Sequence, residues 1–150
     1  MFTKSLRISL VAMLIAVITP QTFAQERINP VDDCINRIAR VVYHTTHANR
    51  HIAGHTIEII EELDAQGAEN EAVVAAGRQG KDAINHRSQA AAQRIHSIVE
   101  RCVASLQEHD APRAAIVAVR QAGVAGAEAI GESARRNKVR INHAIAIAIE

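Results

Sequence analysis

The chain has 150 residues, two cysteines, eight histidines, a formal net charge of +1 and only 2% aromatic residues. That near balance of charge argues against a nucleic-acid binder, which normally carries a basic face, and the arginines are spread along the chain without a concentrated phosphate-binding patch. The lack of aromatics removes the stacking platforms that sugar-binding and single-strand-binding proteins use.

Residues 1–24 read as a cleavable secretory signal. Lys4 and Arg7 form a basic start, Ile8 to Ile18 is apolar apart from Ser9, Pro20 follows, and Thr22-Phe23-Ala24 offers small residues to a signal peptidase. The apolar run is about 11 residues, short of the roughly 20 that a membrane span needs. The mature chain is then expected to be one domain, residues 25–150, in the periplasm or outside the cell, with no membrane span. Its net charge moves from +1 to about −1 with the loss of Lys4 and Arg7. Tyr43 becomes its only aromatic residue, so the core must be built from Ile, Val, Leu and Ala.

Three long helical stretches follow. Asn29-Pro30-Val31-Asp32 is a helix start, with Asn as N-cap, Pro in the first turn and acids behind it. Val31, Ile35, Ile38, Val41, Val42, Ile52, Ile59 and Leu63 recur at helical spacing, and Gly67 ends the helix. The second stretch opens at Glu69 and Glu71 and runs to about His109. Val74, Ile84, Ala91, Ile95, Ile98, Cys102 and Leu106 form its apolar side, with a break expected at Gly77 and Gly80. Asp110-Ala111-Pro112 turns the chain into the third, whose apolar side holds Ile116, Val119, Ile130, Ile141 and Ile145.

The middle of the third stretch, residues 122–127, is small enough for a close neighbour. Its tail, Ile145 to Ile149, alternates with period two but has no strand to pair with. It is read as a helix end whose excess apolar surface suits self-association. The triplets Ile35-Asn36-Arg37, Ile84-Asn85-His86 and Ile141-Asn142-His143 echo one another at unequal spacing, and no repeat architecture follows from them. The expected fold is all-α: three long helices as an antiparallel bundle, or an elongated hairpin plus a third helix, with one disulfide.

Cys34 and Cys102 are the expected disulfide. An exported compartment oxidises thiols. A hairpin turning near Gly67 pairs residues whose numbers sum to about 136, because antiparallel helices rise equally per residue, and the two cysteine numbers sum to 136.

The candidate metal ligands are His44, His47, His51 and His55, with Glu58 continuing the line. Steps of three, four and four place the imidazoles within an arc of about 80° on one helical face. Two imidazoles one turn apart can bite a Zn²⁺, Cu²⁺ or Ni²⁺ ion, with carboxylate or water completing the shell. The same register puts Asn85 and His86 level with His51. His86, His96, His109 and His143 stand alone and read as surface residues. The line is equally the polar face of an amphipathic helix.

Three function readings therefore stand: a non-enzymatic exported protein that binds a divalent transition metal, a cell-envelope assembly module acting through helix–helix contacts, and a pH-responsive surface whose stacked imidazoles repel once protonated. No nucleophile or acid–base constellation supports an enzyme.

Overall fold

The structure is a computed structural model and describes residues 29–150; the signal expected over residues 1–24 lies outside them. Three α-helices follow one another: α1 (Pro30–Ala65), α2 (Asn70–Glu108) and α3 (Arg113–Ala148). Each packs against both others, as an up-down-up bundle. There are no strands among the described residues, and none of the helices is long and apolar enough to cross a membrane.

The ends of the helices follow local chemistry. Val31 donates its backbone N–H to the Asn29 side chain at 3.1 Å, and Pro30 opens the first turn. α1 ends in a Schellman turn: Ala68 N–H donates to Leu63 C=O, Gly67 N–H donates to Asp64 C=O, and Gly67 sits at φ 68°. α2 ends the same way. Ala111 N–H donates to Leu106 C=O and Asp110 N–H to Gln107 C=O, with Asp110 taking the left-handed position at φ 52° where glycine is usual.

Buried positions recur every eleven residues on each helix. On α2 they are Val73, Ile84, Ile95 and Leu106; on α3, Val119, Ile130 and Ile141; on α1, Ile38, Asn49 and Ile60. Eleven residues in three turns is about 3.67 per turn, close to the natural helix, so one face stays inward over long helices with little supercoiling. The α1 face matches the expected one at Ile38 and Val41, with Val31, Val42, Ile52 and Leu63 packed at its margins, and departs from it beyond Val41. It passes through Thr45, Asn49, Ala53 and Thr56, while Ile59 is exposed. On α2, Val74, expected on the apolar side, is exposed, and Val73 is buried in its place.

This face divides the core. Cys34, Ile38, Ala91, Ile95, Ile98, Leu106 and Val119 belong to one apolar cluster, and Ala53, Ile60, Ile84, Ala134, Ile141 and Ile145 to the other. Thr45, Asn49, Ser88, Ser133 and Asn137 are buried at the intervening levels. Asn49 Nδ2 donates to Ser88 Oγ at 3.0 Å, and Asn137 Nδ2 donates to the Ser133 carbonyl at 2.9 Å. Asn49 Oδ1 is buried without a partner among the described residues.

The expected break at Gly77 and Gly80 does not occur; α2 is continuous. Both glycines are buried against a neighbouring helix. A methyl group at Gly77 would collide with Ile145, and one at Gly80 with Thr56. Gly126 has the same role on α3, where an added Cβ would lie 3.0 Å from Ile38 and 3.3 Å from Ile95. The missing side chains set how closely the helices approach, which outweighs the propensity cost of about 1 kcal/mol each.

Two of the echoing triplets meet. Lys81 Nζ donates to Asn142 Oδ1 at 2.8 Å, and Lys138 Nζ donates to Asn85 Oδ1 at 2.9 Å. The segments 81–85 and 138–142 carry the same lysine–asparagine spacing in antiparallel helices, so each supplies one donor and one acceptor to the other. The disulfide joins Cys34 to Cys102 with Cα atoms 6.1 Å apart, at the end of the bundle away from the α1–α2 turn. The alternating tail is helical through Ala148, so Ile145 is buried while Ile147 and Ile149 are exposed.

Candidate functional site

The histidine line lies where helical periodicity places it. His44, His47, His51 and His55 are all exposed on α1, as is Glu58. Tyr43 begins the line, its ring stacked on His47 at a centroid distance of 6.2 Å, and the His47 and His51 rings are 6.4 Å apart. His55 Nδ1 lies 3.5 Å from Glu58 Oε2, with both side chains at least 70% exposed, a geometry worth little in solvent.

No third donor joins any of these pairs among the described residues. Among the described residues, no group of three His, Cys, Asp or Glu side chains converges to hold a metal ion. Asn85 does sit level with His51, but its side-chain oxygen is taken by Lys138 of α3. Arg87 of α2 lines the shallow recess beside His47, His51 and His55. A guanidinium there opposes the approach of a cation.

Arg87 also lines a second and larger feature. A groove of about 1180 Å³ runs between α1 and α2, and its walls carry Arg37, Arg40, Arg87, Arg94 and Arg101. His44 and His86 lie between them, Asp82 is the only acid lining it, and Val41, Ala90, Ala91 and Ile98 contribute to its floor. Arg37 reaches Asp33 at 4.0 Å, and Arg101 Nε donates to the Ser97 carbonyl at 3.1 Å. Arg40, Arg87 and Arg94 have no carboxylate partner among the described residues.

The arginines that are dispersed in sequence are thus gathered by the hairpin. Arg87, Arg94 and Arg101 are seven apart, so they share a face of α2 that drifts by only about 20° per step. The antiparallel register then brings Arg37 and Arg40 of α1 alongside. The disulfide at 34 and 102 and the Asn49–Ser88 hydrogen bond both fix that register at a sum of 136 to 137. Six acids, Glu58, Glu61, Glu62, Asp64, Glu69 and Glu71, surround the α1–α2 turn, while Asp33 and Asp82 stand at the groove. A nearly neutral chain therefore has a positive groove and a negative end.

Comparison with models of known families, with curated proteins and with solved structures returned no match. The groove and the histidine line are accordingly read from their own chemistry.

Proposed function

We propose that the chain is an exported, non-enzymatic helical module that binds anionic ligands along its α1–α2 face. The observation that carries this reading is a single groove lined by five arginines, of which Arg40, Arg87 and Arg94 have no carboxylate partner among the described residues. Unpaired arginines held close together repel one another, and an anion relieves that repulsion while taking bidentate hydrogen bonds. Export rests on residues 1–24 and accords with a bundle closed by a disulfide. A mature N-terminus at Gln25, read from protein recovered from the periplasm or medium, is its check.

The test is thermal unfolding of the disulfide-bonded protein with a soluble polyanion such as heparin. A ligand that binds the folded state raises Tm, and the rise should shrink as salt screens the groove. Absence of any shift at low salt would count against the reading.

A second reading keeps the histidines as ligands for Zn²⁺, Cu²⁺ or Ni²⁺. It is favoured by the adjacent His47 and His51 rings, which a rotamer change would bring onto one ion. Self-association is a third. It rests on Ile147, 61% exposed at the C-terminal end of α3, and light scattering of Ile147→Lys against the unsubstituted chain tests it.

A further inference from the structure

The geometry points to a linear chain of phosphates as the occupant of the α1–α2 groove, an inference that rests on the anion-binding reading and narrows it. The register of 136 to 137 puts Arg37 and Arg40 between the levels of Arg101 and Arg94. Four guanidinium-bearing positions thus fall within about 10 Å of bundle axis, and Arg87 extends the row to about 21 Å. Asp82 closes the far end of the groove.

That density selects among anions. A single small anion would meet at most two or three of these groups. An extended acidic peptide turns a carboxylate to one face about every 7 Å, so it would leave half of the closely spaced arginines unmatched. A phosphate chain carries charge at least as densely as the ~3.4 Å per phosphate of a nucleic-acid strand. About six phosphates span the row at that spacing. The groove has no Phe, Tyr or Trp to stack a base, since Tyr43, the only one of these among the described residues, is not part of its lining; its rings are the two small imidazoles of His44 and His86. A base-free phosphate polymer fits what remains. Recognition by arginine with no lysine in the lining also suits phosphate, whose oxygens accept the paired N–H groups of guanidinium. A concave groove between two helices takes a strand more readily than the flat face of a bilayer.

Calorimetric titration of the full disulfide-bonded chain with linear inorganic polyphosphates of graded length tests this. Poly-glutamate of matched charge and phosphatidylglycerol vesicles serve as the comparison arms. Affinity should rise with chain length and level off beyond about six phosphates. Poly-glutamate should bind at least about tenfold more weakly, and vesicles no better than poly-glutamate. The triple variant Arg40→Gln/Arg87→Gln/Arg94→Gln should lose at least about tenfold in polyphosphate affinity. Its log–log salt slope should fall by about 0.7 per guanidinium removed, with helicity unchanged and Tm not lowered, because all three side chains are exposed and their mutual repulsion is relieved. Poly-glutamate binding as tightly as polyphosphate would overturn the phosphate chain and leave the anion-binding reading standing, as would binding to vesicles alone. No binding of any polyanion, or a triple variant that binds as well as the original, would overturn both.

Discussion

Asn49 of α1 donates a 3.0 Å hydrogen bond to the hydroxyl of Ser88 on α2, and the other half of the same amide, Oδ1, is buried with no partner among the described residues. The pair sits at the level where the two apolar clusters separate, on a side chain that is 0% exposed. Such a contact specifies helix register more than it stabilises, because half of the desolvated amide is uncompensated. Ser88→Ala should therefore destabilise by about 1–3 kcal/mol, by leaving the whole amide unsatisfied. Asn49→Leu/Ser88→Ala, which removes both partners together, should be neutral or raise stability by about 1 kcal/mol. Denaturant midpoints at unchanged m-value are the measurement.

The glycines divide by what faces them. Gly80→Ala drives a methyl into Thr56, whose hydroxyl already donates to the Ile52 carbonyl at 2.7 Å and so resists displacement. A loss of about 1–3 kcal/mol is expected. Gly131 is helical, exposed and has nothing within 4 Å of an added Cβ. Gly131→Ala should gain up to about 1 kcal/mol from helix propensity. Thermal unfolding of the two variants should move in opposite directions.

Asp110 occupies a left-handed backbone position that costs a side-chain-bearing residue energy. Asp110→Gly should stabilise by about 0.5–1 kcal/mol, while Gly67→Ala at the equivalent position of the first turn should destabilise by about the same amount. Comparison of chemical denaturation curves for the two variants checks the pair.

The disulfide closes a loop with a sequence separation of 68 around a core of modest aliphatic side chains. Its loss through Cys34→Ser/Cys102→Ser should lower stability by about 4 kcal/mol. Intact mass before and after reduction, rising by about two daltons, verifies the bond.

Arg87 lies at the junction of the two candidate sites, so its charge affects them with opposite sign. Arg87→Gln should weaken polyanion binding and strengthen Cu²⁺ or Ni²⁺ binding at the histidine line. His51→Ala should weaken metal binding by about tenfold, or about 1.4 kcal/mol. Parallel titrations with metal and with polyanion read both effects. Metal binding unchanged by His51→Ala would remove the histidine line as a site.

The helices and their pairing were legible because they rest on local rules. Asn29-Pro30 starts α1, Gly67 ends it, and one register sum joins Cys34 to Cys102. Apolar spacing marked the inward stripe of α1 at Ile38 and Val41 but not its polar continuation. On α1 the inward stripe passes through Thr45, Asn49 and Thr56, because three helices sharing one eleven-residue repeat must keep that face inward whatever it carries. Likewise Gly77 and Gly80 read as breakers until a neighbouring helix is placed against them.

The sequence by itself determined three helices, the disulfide and the histidine line, since each follows from spacing along one helix or across one hairpin. Only the tertiary structure decided which surface is chemically concentrated. The histidines, contiguous on one helix, have no third ligand from a neighbour among the described residues. The arginines, dispersed over residues 37–101, form one groove. Charge adds through space, and helix packing sets the distances over which it does so.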